Sequence, residues 1–177
     1  MTRAHLDVWA LDECHFQQHG SRCTMWIPPE DVDPTLLHAC THRQVGVFGA
    51  VRLCNGQFVA QRQPTLNAET FLAFLHKLSR HRRPSKTLRI VLDNSAYHHA
   101  QLLRPWLSRH RNALQLEFLP PYSPDLNPIE RVWKLTRRLC VHNRYFPTLD
   151  SLVDAVSDQF AAWAKSNAIL RRLCAIT

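Results

Sequence analysis

The chain has 177 residues, 45% of them hydrophobic and 20% charged, with a net charge of +8. That composition is ordinary for a globular protein and long enough for one domain with a real core. It excludes low-complexity and membrane-spanning classes, since no 18-residue apolar run occurs, and the basic excess favours a polyanionic partner, either nucleic acid or an anionic membrane surface.

In chain order, residues 5–12 alternate apolar and polar and end in acid, which predicts a strand closed by Asp12. Residues 21–27 predict a second short strand, and Pro28, Pro29, Glu30, Asp31, Asp33 and Pro34 a loop. Residues 44–54 are strand-like, Asn55-Gly56 is a strong hairpin signal, and Gln57 to Arg62 return, so the fold opens antiparallel. Asn67 caps a helix running to about Arg80, with Phe71, Phe74, Leu75 and Leu78 on one face. A basic linker, His81 to Lys86, leads into a buried strand at 88–93. A helix near 99–110 is interrupted or kinked at Pro105, and 114–119 is another strand. The proline-set turn from Leu119 to Asn127 opens a helix from Pro128 to about His142, followed by a helix from Thr148 to about Lys165 and a short last one. The expected fold is mixed α/β, a sheet flanked by helices with a helical C-terminal layer, in a single domain over 1–177.

The six cysteines (Cys14, Cys23, Cys40, Cys54, Cys140, Cys174) contain no C-x-x-C pair and read as reduced thiols of a cytosolic protein. Cys14, His15, His19 and Cys23 fit no standard zinc finger. The start of the chain around Arg3 does not have the order of a signal peptide.

Three carboxylates on separate elements carry the chemistry: Asp12 and Asp93 at strand ends, the latter closing the strand at 88–93, and Glu130 at a helix start. Phosphodiester cleavage needs an activated oxygen nucleophile and relief of charge on the leaving oxygen. Two hard divalent ions held by converging carboxylates supply both. Each acid also has a purely local reading. Asp12 and Glu13 end an exposed strand, and Asp93-Asn94 favour a turn. Asn127 as N-cap with Pro128 and Glu130 at the first and third helical positions makes a variant capping box. Asp125 reads as a turn carboxylate that caps backbone amides, and Asp7 has the strand parity opposite to Asp12.

Leu11-Asp12-Glu13, then Val91-Leu92-Asp93-Asn94 with His98, then Pro120-Pro121-Tyr122-Ser123-Pro124-Asp125-Leu126-Asn127-Pro128-Ile129-Glu130 with Trp133, together resemble the three acidic motifs of DDE-type transposases, nearest to the bacterial insertion-sequence branch of the mariner superfamily. The gap of 36 residues between Asp93 and Glu130 fits that family. The resemblance implies a ribonuclease H-like fold, two Mg²⁺ or Mn²⁺ ions held by Asp12, Asp93 and Glu130 as catalytic triad, and cut-and-paste transposition with insertion at TA dinucleotides. It gives Asn94, His98 and Asn127 supporting roles, has Tyr122 and Ser123 shape the turn, and leaves Trp133 to core packing. It implies double-stranded DNA as partner (transposon ends and target), a homodimer, and a bacterial, nucleoid-associated location. The family's N-terminal helix-turn-helix region is expected to be absent, with a separately encoded N-terminal half as one explanation. The family's W-x-P-x-G segment corresponds to Trp26-Ile27-Pro28-Pro29-Glu30, without its glycine.

Two basic clusters are candidate DNA contacts: Arg82, Arg83 and Lys86 before the Asp93 strand, and Lys134, Arg137 and Arg138 after Glu130. Positions 130, 134 and 137 share a helical face. The reading is a metal-dependent DNA endonuclease and strand transferase. The alternatives are a non-catalytic DNA-binding or assembly remnant, and a cellular metal-dependent phosphohydrolase on the same fold.

Overall fold

The first strand, β1 (Leu6–Gln17), is longer than its alternation up to Asp12 suggests. Cys14 and Phe16 continue the buried positions of one face, and β2 (Gln44–Arg52) pairs antiparallel along it from Trp9↔Arg52 to Gln17↔Gln44. Asp12 is therefore inside a strand, opposite Gly49, and not at its end. The structure, a computed structural model, describes residues 6–24, 28, 35 and 37–175. Of the second short strand expected at 21–27, Ser21 makes one isolated bridge to His142, and 25–27 lie outside the described residues, as do Arg3, Pro29 to Pro34 and most of the Trp26–Glu30 segment.

The chain reverses at Asn55-Gly56, where Gly56 takes φ +71° and its amide donates to Arg52 O, and returns as β3 (Phe58–Gln63). Asn67 then caps α1 (Ala68–Ser79): its side chain accepts from Thr70 N, and Thr70 Oγ1 accepts from Asn67 N. The spacing of Phe71, Phe74, Leu75 and Leu78 buries all four against the sheet, each contributing about 1.5–3 kcal/mol. β4 (Thr87–Leu92) and β5 (Leu114–Phe118) lie parallel to β1, giving the order β3-β2-β1-β4-β5.

Between β4 and β5 the expected long helix is two 3₁₀ turns (Ala96–His99 and Gln101–Leu103) and then α2 (Arg104–His110). Pro105 does not kink it. It stands in the first turn, where the missing amide costs nothing. The helix after the proline-rich turn is α3 (Ile129–Thr136), which loosens into a π-helical turn at Arg137–Val141. α4 (Leu149–Trp163) is capped reciprocally by Thr148 and Ser151, and α5 (Ala168–Leu173) by Asn167.

The two sheet faces bury separate cores. Even positions of β1 (Ala10, Cys14, Phe16) face α3, α4 and α5, together with Phe58, Trp133 and Val156. Odd positions (Trp9, Leu11) face α1 and α2, together with Phe48, Phe71 and Phe74. Asp12 and Glu13 are neighbours in one strand and so point to opposite layers. Asp7, on the odd face, is buried in an ion pair with Arg52 at 3.1 Å.

Candidate active site at the parallel strand ends

Parallel pairing of β1 with β4 stops at Ala10↔Val91. β1 runs on, while β4 ends one residue before Asp93. The split leaves Asp12 and Asp93 on either side of a gap at one end of the sheet, and the loop after β5 crosses it to deliver Glu130, the second residue of α3. Asp12, Asp93 and Glu130 line a single cleft of about 550 Å³, with Asn94, Ser95, Asn127 and the 119–124 loop. A smaller apolar groove between β3 and α4, of about 330 Å³, contains none of these acids.

Two side-chain bonds, from Asn94 and Asn127, hold the loop in place, and one from Ser123 braces it from within. Asn94 Nδ2 donates to Leu119 O, and Ser123 Oγ donates to Pro121 O at 3.2 Å. Tyr122 takes φ +55°, a left-handed backbone that few aromatic residues adopt, and its ring is fully exposed on the cleft rim. Asn127 is buried, and its Nδ2 donates to Leu11 O at 3.0 Å. That overturns the capping reading: the N-cap is Pro128, and the Asn127 side chain points away from the helix amides to tie loop to strand. Asp125 is exposed and, among the described residues, caps no amide.

Asp12 receives a hydrogen bond from Trp133 Nε1 at 3.1 Å, so Trp133 is a site residue as well as a core one. Burial, with the charges of Glu13 and Glu130 behind it, pushes the Asp12 carboxyl up to about 8. Asp93 is gripped on both oxygens: Ser95 Oγ donates to Oδ2 at 2.9 Å, and His98 Nδ1 lies 3.1 Å from Oδ1. The His98 ring is buried between Phe71 and Tyr97, at centroid distances of 4.3 and 4.4 Å. Burial lowers its pKa against the opposing pull of Asp93.

Three participants had no assigned role in the sequence: Trp133's bond to Asp12, Ser95, and Glu13. Glu13 meets Asp93 from the inner face, so that Glu13, Asp93 and His98 each bring a ligand-type atom within 4.8 Å of the others. Burial raises the Glu13 carboxyl, with the Asp93 charge adding to it. The only sequence signal was adjacency to Asp12 with opposite parity.

The donor set fits hard divalent cations. The cleft offers three carboxylates and the enclosed, unpartnered Asn127 Oδ1. Burial first, and then the charges of Glu13 and Glu130, displace Asp12 upward, and a bound cation would offset both. Among the described residues no Cys/His cluster forms that could hold zinc, and Cys14, Cys23, Cys40, Cys54, Cys140 and Cys174 are all free thiols.

The basic clusters separate. Lys134 is exposed on α3 one turn beyond Glu130, and Arg138 is exposed in the π turn. Arg137 turns inward, donating to Cys14 Sγ at 2.9 Å and lying over the Phe16 ring. Arg82, Arg83 and Lys86 precede β4, and six residues at about 3.3 Å each put them about 20 Å from Asp93, at the opposite end of the sheet. No helix among the described residues is long and apolar enough to cross a membrane.

Residues 7–153 match the family model described as DDE superfamily endonuclease. An uncharacterized protein of Sinorhizobium fredii, y4pE/y4sA, is 33% identical over 119 residues, covering 67% of this chain and 82% of its own. The Tc3 transposase of Caenorhabditis elegans is 31% identical over 120 residues, but the match covers 67% of this chain and only 35% of that protein. Among solved structures, the Mos1 mariner paired-end complex with Mn superimposes with a TM-score of 0.69 at 19% identity, over 95% of this chain and 51% of that one, and a corresponding complex contains Mg. The chain thus spans about a third of Tc3 transposase and about half of the Mos1 chain. The shared fold is ribonuclease H-like, as the sequence resemblance implied.

Proposed function

Because the chain belongs to the DDE superfamily of endonucleases, we propose that it is a divalent-metal-dependent DNA endonuclease and strand transferase acting in cut-and-paste transposition of an insertion sequence. The observation that carries this reading is the convergence of Asp12, Asp93 and Glu130, from three separate elements, on one cleft.

In this reading the three acids hold two Mg²⁺ or Mn²⁺ ions. Bound ions would offset the carboxylate repulsion, ease deprotonation of the attacking water or 3′-hydroxyl, and neutralise charge on the leaving oxygen. The chain's own residues do the positioning. Ser95 and His98 fix Asp93, Trp133 fixes Asp12, and Asn127 with Asn94 fixes the loop that aims Glu130. In the first step water attacks a phosphodiester and the 3′ oxygen departs as a hydroxyl; in the second that 3′-hydroxyl attacks target DNA and displaces another 3′ oxygen.

The partner is double-stranded DNA, as transposon end and target, and a homodimer would hold two ends together. In this reading Lys134 and Arg138, both exposed, meet phosphates entering the cleft. Arg137, held inward on Cys14 and Phe16, is left out of that contact. Arg82, Arg83 and Lys86 reach only duplex that extends about 20 Å, or about six base pairs, past the cut. Such a substrate places the protein at the bacterial nucleoid.

The test incubates the purified chain with labelled insertion-sequence end DNA and Mg²⁺ or Mn²⁺, beside Asp93→Asn and a chelator control. Cleavage that needs both metal and Asp93 is expected, with end-joined products marking strand transfer. Cleavage by Asp93→Asn at the wild-type rate would refute the assignment. DNA retention without cutting would favour a non-catalytic binding or assembly remnant.

A further inference from the structure

Ser95 stands between two carboxylates. Its hydroxyl has one proton, with Asp93 Oδ2 at 2.9 Å and Glu13 Oε1 at 3.4 Å. The nearer acceptor has it. Asp93 is then held by Ser95 and His98 on its two oxygens, facing into the protein, while almost half of its side-chain surface still opens to the cleft. Each oxygen keeps a second lone pair for a cation, but a turn of the Asp93 carboxylate toward the cleft would stretch one of these two bonds. His98 is wedged between Phe71 and Tyr97 and does not follow. Ser95 is the partner that can be released, and a part-buried hydroxyl left without an acceptor would oppose the release.

We propose that Glu13 is a positioning residue for Asp93, acting as the alternative acceptor for Ser95. When Asp93 turns outward, the Ser95 hydroxyl rotates and donates to Glu13 Oε1, and no polar group is left unpaired. No bond is made or broken in this exchange; one hydrogen bond changes acceptor. Two further observations fit the assignment. Glu13 projects from the face of β1 opposite to Asp12, so it does not line the cleft and is not placed to act on DNA. The Tyr97 hydroxyl stands beside the Glu13 carboxyl on that inner face and holds it there.

The inference rests on Asp93 being a cation ligand, and its test separates the two ideas. Mn²⁺ affinity of the DNA-free chain is measured by electron paramagnetic resonance of the free ion, for wild type, Glu13→Ala, Glu13→Gln, Ser95→Ala, Glu13→Ala/Ser95→Ala and Asp93→Asn, with circular dichroism confirming the fold of each. Glutamine keeps an acceptor oxygen and loses the charge. Glu13→Ala is expected to bind Mn²⁺ about three- to tenfold more weakly, the worth of one hydrogen bond, and Glu13→Gln within about twofold of wild type. In the Ser95→Ala background, Glu13→Ala should add nothing, because the hydroxyl it serves is gone. If Glu13→Gln is as weak as Glu13→Ala, charge and not the acceptor matters, and the proposal fails. It also fails if the Glu13 and Ser95 losses simply multiply. If Glu13→Ala does not fold, the Gln variant and the same comparison in the Ser95→Ala background decide. Undiminished Mn²⁺ binding by Asp93→Asn would instead remove the underlying assignment of Asp93 as a ligand.

Discussion

Asn127 Nδ2 donates to the backbone oxygen of Leu11 at 3.0 Å, so the loop that carries one catalytic candidate is anchored one residue before another. The bond spans 116 residues of sequence and is buried. Replacing Asn127 by Asp keeps the shape and loses the donor, and replacing it by Ala leaves Leu11 O buried without its partner. Either change is expected to cost about 1–3 kcal/mol, read as a lower denaturant midpoint at unchanged slope. Cleavage should fall about a hundredfold, because a shift of about 1 Å in Glu130 is enough to spoil the geometry. An Asn127→Asp chain with wild-type midpoint and rate would show that the anchor is dispensable.

Gly49 and Trp133 make a second cross-element dependence. Gly49 is paired opposite Asp12, and a Cβ there would stand 2.3 Å from the Trp133 ring. Gly49→Ala must push aside a fully buried indole packed on Phe16 and Phe58, at a cost of about 1–3 kcal/mol. Trp133→Phe is the gentler probe. It keeps most of the packing and removes the Nε1 donor to Asp12. Its expected signature is a weaker Mn²⁺ affinity, with a smaller loss of stability than Gly49→Ala, measured on the same preparations.

How far the sequence carried this site depends on the kind of signal each residue has. Asp93 and Glu130 follow a strand and open a helix, and such boundaries are written in local pattern: the apolar run Leu88–Leu92, and the prolines before Ile129. The hairpin at Asn55-Gly56 and the capped faces of α1 and α4 were local as well. Asp12 was found, but its strand was ended too early, because the reason it continues to Gln17 is pairing with β2, a long-range fact. The capping reading of Asn127 failed for the same reason. Its partner is Leu11, and no window around position 127 contains it. Glu13 was read only as the end of an exposed strand, since strand parity assigns it to the other face and only the 3₁₀ turn at Ala96–His99 brings Ser95 and His98 across to meet it. The distance of Arg82, Arg83 and Lys86 from Asp93 follows from strand direction, which adjacency in sequence conceals.

Asp7 and Arg52 test the sheet away from the cleft. Their 3.1 Å ion pair is buried on both sides, and Arg52 also donates to Gln57 Oε1 at 2.7 Å and lies over the Trp9 ring. Arg52→Met should cost about 3–5 kcal/mol, because it strands a buried carboxylate. The double variant Asp7→Leu/Arg52→Met removes both charges and should recover most of that loss. Equal destabilisation in single and double variants would locate the cost in packing against Trp9 and not in the unpaired acid.

The cleft should also write itself into the pH dependence of the metal-free chain. Burial, then the charges of Glu13 and Glu130, raise the Asp12 carboxyl from 3.8 to about 8. Between those limits the folded chain keeps a proton at Asp12 that the unfolded chain has released. The native state binds more protons, so this contribution to stability is full below about pH 4 and is lost progressively as pH rises to about 8. Other groups titrate in the same range, and the diagnostic quantity is the difference between wild type and Asp12→Asn, which has no proton to lose. With chelator present, wild-type Tm should fall relative to Asp12→Asn as pH rises from 4 to 8, by about 2–4 °C per kcal/mol for a chain of this size. Mn²⁺ should reverse the trend. Cations bind the ionised carboxylate, so the Tm gain from added Mn²⁺ should grow with pH over the same window and be absent in Asp12→Asn. Parallel melting profiles for the two chains would mean that Asp12 titrates as an ordinary surface acid, and that the cleft does not concentrate negative charge on it.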